Sequence, residues 1–212
     1  MLEAKNLCLT YKDGGQNNEV IKNVSLKIEP GEFVVLLGPS GSGKSSLIYL
    51  LSLLKKPTLG KIMLDGREVD QTRDNYKIRY ENYGFIFQQN FLIPYLNVLE
   101  NVCKATYKKK DTINKALDIL QKLGLNEYLY KKPYQLSGGQ RQRVSIARAL
   151  VKSPKYIFAD EPTAALDHNN ALIVMDILKD ISKQSAIVCS THDTSILPKN
   201  ARILHLTEGT LQ

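Results

Sequence analysis

Gly38-Pro39-Ser40-Gly41-Ser42-Gly43-Lys44-Ser45, with Ser46 directly after, fits the spacing G-x-x-x-x-G-K-[ST]. Glycines at these positions let the backbone curl until successive N–H groups point inward at a chain of phosphates. A helix starting at the loop adds its positive end. Lys44 would neutralise the β- and γ-phosphates, and the Ser45 hydroxyl would hold magnesium. By composition alone such a match arises in roughly one chain in a hundred of this length. A second element, Tyr156-Ile157-Phe158-Ala159-Asp160-Glu161, is an apolar strand ending in two carboxylates. Asp160 is placed to reach magnesium through a water, and Glu161 to polarise a water for attack on the γ-phosphorus. A third element is Leu136-Ser137-Gly138-Gly139-Gln140. Ser137 can cap the helix that follows, and the two glycines leave their amides bare, so this turn is an anion site like the first. One nucleotide needs one phosphate cradle. Two cradles in one chain imply that each ATP is held between two protein copies.

Elements that would position these residues are legible on both sides. Phe33 to Leu37 is a short, wholly apolar run, the pattern of a strand covered on both faces. Leu47, Leu50, Leu51 and Leu54 follow the glycine loop at helical spacing, with Pro57 as the expected stop. Earlier, Leu7, Leu9 and Tyr11 alternate with polar residues, as do Val24, Leu26 and Ile28, with Asp13 to Asn18 expected as a loop between two strands. Lys61 to Leu64 reads as a strand entering a turn at Asp65-Gly66. From about Asn90 to Leu150 the chain is helical in character: Ile113, Ala116, Leu117 and Leu120 make one face closed by Gly124, and Val144, Ala147, Leu150 and Val151 make another. The last third alternates again, with strands at Tyr156 to Ala159, Ala186 to Ser190 and Arg202 to Leu206 and a helix at Asn169 to Ser182. Strand–helix alternation argues for an α/β core into which the helical middle is inserted.

At 212 residues the chain has the length of one full domain, able to bury roughly 70 % of its unfolded surface. A hydrophobic share of 43 % and a charged share of 24 % exclude disorder, collagen-like repeats and disulfide-dense scaffolds. The longest nearly unbroken apolar stretch, Leu47 to Leu54, is far short of the ~18–20 residues of a spanning helix. Met1-Leu2-Glu3-Ala4-Lys5 carries an acid where a secretory signal has bases followed by an apolar run, so no targeting segment is expected. Cys8, Cys103 and Cys189 are odd in number and widely spaced, which fits free thiols in a reducing cytosol rather than a metal site. The formal charge of +8 favours anionic partners, whether nucleotide, nucleic acid or an anionic membrane face.

With these three motifs in order, the chain resembles the nucleotide-binding subunits of ATP-binding cassette (ABC) transporters over essentially its whole length. Gly38 to Ser45 matches the Walker A loop, Tyr156 to Asp160 the Walker B strand, and Leu136 to Gln140 the signature. The resemblance implies a P-loop NTPase α/β core, a mixed sheet with flanking helices, plus an N-terminal antiparallel β-subdomain and an inserted α-helical subdomain. It divides the single domain into a core of residues 1–88 and 151–212 and a signature-bearing part of residues 89–150. It implies further roles: Gln88, in Phe85-Ile86-Phe87-Gln88, contacting magnesium and reporting on a membrane partner; Tyr11 stacking on adenine; His192, in Ser190-Thr191-His192-Asp193, touching the γ-phosphate; and Ala165-Leu166-Asp167 forming the D-loop. His168 and His205 are left as structural or solvated. ATP and Mg2+ are the implied cofactors. The implied partners are a second copy and integral membrane subunits, with no nucleic acid, at the cytoplasmic face of the membrane.

Gly84 to Gln88, Phe91-Leu92-Ile93-Pro94, Glu100-Asn101-Val102 and Ala159 to Thr163 are similar to the lipoprotein-release and macrolide-export group; amino-acid importers share many of these residues. Ala164 stands where that group usually has glycine. ABC ATPases of translation or DNA repair usually carry two cassettes or a long coiled-coil insertion, which 212 residues do not hold, and non-hydrolysing modules tend to lose the acid that Glu161 retains. Phe91, Leu92, Ile93, Tyr95 and Leu96 fit either a groove for a partner's helix or the core of the helical part. Lys104, Lys108, Lys109 and Lys110, with Lys131 and Lys132, fit a solvated face or a surface near anionic headgroups.

Overall fold

A computed structural model of the chain describes residues 1–106 and 109–212, and the side chains of all of these except Asp13, Lys109 and Lys110. Of the expected basic cluster, Lys104, Lys131 and Lys132 are exposed, while Lys108 and the side chains of Lys109 and Lys110 lie outside the described residues.

The chain begins with an antiparallel hairpin of β1 (Leu2–Asp13) and β2 (Gln16–Ile28). Its turn is Gly14-Gly15 alone, at φ 53° and 84°, the backbone that a two-residue connection between twisted strands requires. The loop expected over Asp13 to Asn18 thus shrinks to two residues, because Lys12 pairs with Asn17 and Asp13 with Gln16. Exposed polar side chains on both faces do not stop a ladder whose backbone groups are paired. Farther along, Val24, Leu26 and Ile28 turn inward and Ser25 and Lys27 outward, as their alternation requires. β4 (Leu59–Leu64) pairs with β1 and then, through Asp65-Gly66, with β5 (Arg67–Glu68), giving a four-stranded sheet in the order β2-β1-β4-β5.

The second sheet comprises β3 (Phe33–Leu37), β6 (Tyr83–Ile86), β7 (Tyr156–Asp160), β8 (Ala186–Thr191), β9 (Arg202–Thr207) and β10 (Thr210–Leu211) in the order β10-β9-β3-β8-β7-β6. All neighbours are parallel except β10, which folds back on β9. Period-two alternation sorts its side chains between two cores. Val34, Leu36, Tyr156, Phe158, Ala186 and Val188 face α1 (Lys44–Leu51) and the antiparallel sheet. Val35, Ile157, Ala159, Ile187 and Cys189 face α6 (His168–Ser182) and the inserted helices α3 (Val98–Cys103), α4 (Lys109–Lys122) and α5 (Gly138–Leu150). α2 (Tyr76–Asn82) leads directly into β6. This is the mixed α/β architecture that the sequence implied. Among the described residues no helix is long and apolar enough to cross a membrane.

Two helices depart from expectation. α1 ends at Leu51 rather than near Pro57, because Leu53 turns at φ 60° and the amides of Leu54 and Lys55 fold back onto the Tyr49 carbonyl. Leu47, Leu50 and Leu51 are buried, while Leu54, beyond the helix, is exposed. On α4 the buried stripe is Thr112, Ala116 and Leu120, rotated from the expected face, so Ile113 points to solvent. Gly124, at φ 67°, closes α4 as expected, and Leu125 N–H returns to the Leu120 carbonyl.

Cys189 lies in the middle of this packing, wholly buried, and desolvation pushes its thiol up to about 12, with the Asp160 and Glu161 charges adding to the effect. In the folded chain at about pH 8 it should resist a disulfide-exchange reagent and react only once urea unfolds the protein, as a thiol count before and after denaturation will show.

Candidate active site

Strands β3, β7 and β8 end side by side, with Leu37 level with Thr191 and Asp160 level with Ser190. Their carboxyl ends form the edge where an open α/β sheet receives ligands. The glycine loop leaves β3 there and enters α1. Its course is tightly confined: a Cβ on Gly38 would overlap the carbonyl oxygen of Leu206, and one on Gly43, at φ 103°, would approach Val20 O to 2.9 Å. Only glycine lets the loop lie between β2 and β9.

Lys44 is 5 % exposed and donates to the carbonyls of Gly38 and Pro39, both at 2.9 Å. Its ammonium is thus held at the mouth of the loop, 3.7 Å from Glu161 Oε1. Ser45 Oγ donates to Asp160 Oδ1 at 2.9 Å, and Ser190 Oγ donates to the same oxygen at 2.8 Å. Ser190 Oγ in turn accepts from Glu161 N–H at 2.9 Å. Glu161 has φ 43°, a left-handed backbone rare for a side chain of this kind, which breaks the strand and turns its carboxylate aside. The same Oε1 lies 3.8 Å from His192 Nδ1, so lysine, acid and histidine converge at distances longer than hydrogen bonds. Beside them is a cavity of about 180 Å³ lined by Glu161, Thr163, Leu166, His168 and His192.

Tyr11 reaches the site from β1, its hydroxyl 3.3 Å from Ser46 Oγ and one ring face covered by Lys55 Nζ at 4.5 Å from the centroid. Gln88 is exposed two residues past β6, whose last paired residue is Ile86, opposite Ala159. Ser137 is the N-cap of α5. Its Oγ accepts from Gln140 N–H at 3.3 Å while Gln140 Oε1 accepts from Ser137 N–H at 2.8 Å, a closed capping box. Gly138 lies against Ala165 and Leu166, and a Cβ on Gly139 would come within 2.5 Å of Asn170 Oδ1. Among the described residues no hydrogen bond or ion pair joins residues 136–140 to residues 38–46. The structure therefore gathers Tyr11, Gly38 to Ser46, Asp160, Glu161 and His192 at one sheet edge, leaves Gln88 just beyond the end of the neighbouring β6, and sets residues 136–140 against Ala165, Leu166 and Asn170 of their own chain.

Three residues were not read from the sequence. Ser190 joins both acids to β8, a contact that no local pattern announces. Tyr49, one helical turn beyond Ser45, faces Asp160; burial first, then the Asp160 charge, raises its phenol above the ordinary range. Only its i+4 spacing from Ser45 could have flagged it. His168, exposed at the start of α6 and expected to be structural or solvated, lines the cavity with Glu161 and His192.

The residues suit a magnesium-bound triphosphate. The Ser42 hydroxyl is buried in the loop without a partner, and the Ser45 hydroxyl and Asp160 carboxylate form a pair of hard oxygen donors. A glycine loop between strand and helix, its lysine facing an acidic strand end, defines a P-loop nucleotide-binding domain. The family model described as ABC transporter matches residues 21–164, and the chain belongs to that family: it is an ATP-binding, ATP-hydrolysing subunit. It is 44 % identical over 198 residues to the lipoprotein-releasing system ATP-binding protein LolD of Aquifex aeolicus, covering 90 % of this chain and 88 % of that one. It is 41 % identical to the macrolide export ATP-binding/permease protein MacB of Bdellovibrio bacteriovorus, of which it spans 33 % while all of this chain is covered. Among solved structures, the dimeric post-hydrolysis state of the ATP-binding cassette MJ0796 bound to ADP and Pi superposes with a TM-score of 0.90 at 39 % identity, covering 100 % of this chain and 97 % of that one. MJ0796 is from Methanocaldococcus jannaschii.

Gly38→Ala should displace the loop or β9, lowering stability by about 1–3 kcal/mol in urea melts and weakening nucleotide binding in the same preparation.

Proposed function

We propose that two copies of this chain close head to tail on two ATP molecules and thereby drive integral membrane subunits of the lipoprotein-release or macrolide-export type. The observation that supports this most is the convergence on Glu161 Oε1 of Lys44 and His192, beside an Asp160 already bonded to Ser45. An acid so placed can take a proton from water at the γ-phosphorus while the Lys44 ammonium balances its charge and His192 faces the same oxygen. The LolD and MacB relatives support the subgroup.

In this reading the amides of Gly38 to Gly43 wrap the phosphates, Lys44 turns from the loop carbonyls to the β- and γ-phosphates, and Ser46 and Tyr11 hold the nucleoside end. Ser45, Asp160 and Gln88 hold Mg2+, which when bound screens the phosphate charge and polarises the γ-phosphoryl oxygens. Glu161 is the general base and His192 contacts the γ-phosphate. Ser137, Gly138, Gly139 and Gln140 approach the ATP of the partner copy, so each site is completed across the interface. Residues 1–88 and 151–212 act as the catalytic core and residues 89–150 as the signature-bearing arm. Phe91 and Tyr95, both strongly exposed, support the docking-groove reading of that loop over the core reading. The chain then sits peripherally on the cytoplasmic face of the membrane.

Glu161→Gln should retain ATP affinity, lose roughly 10²–10⁴ in phosphate release, and accumulate as a nucleotide-bound dimer on size exclusion; ordinary turnover in this variant removes Glu161 from the base role. Ser137→Arg should bind ATP as the parent does yet remain monomeric under the same conditions, and a dimeric variant contradicts the shared site.

A further inference from the structure

The loop that follows Gln88 is tied down by an unusual group. Arg148, near the C-terminal end of α5, donates from Nη1 to the carbonyl of Phe91 at 2.6 Å and from Nη2 to that of Asn90 at 2.5 Å. The guanidinium is largely withdrawn from water, and that burial lowers its proton affinity. Among the described residues it has no ion-pair partner. Burying a charge against neutral carbonyls alone is costly, and the fork shape of arginine is what allows both to be gripped at once. The carbonyl it grips at Phe91 belongs to a residue at φ 44°, a backbone that a bulky side chain adopts only when held there.

Two further attachments make the segment a rigid arm. The Phe91 ring packs edge-on against Phe87 at 5.5 Å, Phe87 stacks on Phe85 at 5.8 Å, and Phe85 stacks on Phe158 at 6.0 Å. Phe158 lies on β7, two residues before Asp160, so a row of rings runs from the acidic strand to the exposed Phe91. On the far side the buried Asn101 accepts from Ile93 N–H at 2.7 Å and donates to the carbonyls of Ile93, Leu96 and Asn97. Arg148 joins this arm to α5, the helix that Ser137 caps. Eleven helical rises, about 16 Å, separate the two.

We propose that Arg148 is a positioning residue that locks the Gln88–Asn97 loop to the signature helix, so that ATP at the acidic strand end and a load on Phe91 displace the same body. The inference rests on the ATP site described above. The chain has no tryptophan, so Phe91→Trp installs a single fluorescent reporter on the exposed tip of the arm. In the full chain, with Glu161→Gln to retain ATP, radiolabelled ATP binding and acrylamide quenching of the tryptophan are measured together with Mg2+ present. MgATP should change the quenching when Arg148 is present. Arg148→Lys keeps the charge without the fork, and Arg148→Met fills the space without charge; both are made so that loss of fold in one leaves the other. Either should bind ATP with unchanged affinity while the quenching response falls at least about fivefold. A full response in an ATP-bound Arg148 variant, or none in an ATP-bound parent, overturns the role of Arg148. Failure of the parent to bind ATP overturns the nucleotide reading itself.

Discussion

One carboxylate oxygen organises the catalytic edge. Asp160 Oδ1 accepts a hydroxyl from Ser45, at the start of α1, and another from Ser190, near the end of β8. Three elements distant in sequence are thereby fixed at a point where each would otherwise end in solvent. The bonds are charge-assisted and nearly excluded from water, the condition in which such contacts are strongest. Ser190 also accepts the amide of Glu161, so the neighbouring acid is oriented by the same hydroxyl. The left-handed turn at Glu161 follows from this arrangement: strand geometry would send consecutive side chains to opposite faces, and the break turns the second acid toward Lys44.

The two sheets serve that edge in different ways. The parallel sheet supplies the ends of β3, β7 and β8, and its alternation between two cores leaves little freedom for any strand to slip, since a shift by one residue would exchange the two sets of buried side chains. The antiparallel sheet packs on α1 and carries Tyr11 to the glycine loop. Confinement of that loop between Val20 and Leu206 links both sheets to its shape.

Much of this was legible because the relevant signals are local. Phe33 to Leu37 and Tyr156 to Ala159 are continuous apolar runs that only a doubly covered strand explains, and the glycine loop lies between strand and helix as its spacing demands. What was missed depends on partners far along the chain. The stripe on α4 rotated because tertiary packing preferred Thr112 to Ile113. Leu54 looked like one more turn of α1, but the chain reverses at Leu53. β6 is four residues with a glycine among them, too short for periodicity to register. Ser190, Tyr49 and Arg148 owe their importance to contacts made across the fold. Gln140 shows a mixture: its place three residues after Ser137 spells a capping box, and in the folded chain its side chain is engaged in that box.

The capping box carries a consequence for assembly. Ser137 and Gln140 complete each other, yet the first amides of any helix, here those of Gly138 and Gly139, have no acceptor within it. Pressing two vacant subunits together would leave those amides without acceptors, whereas a polyphosphate supplies them. On the proposed reading, the unfilled acceptor sites of one helix start tie self-association to the presence of the anion.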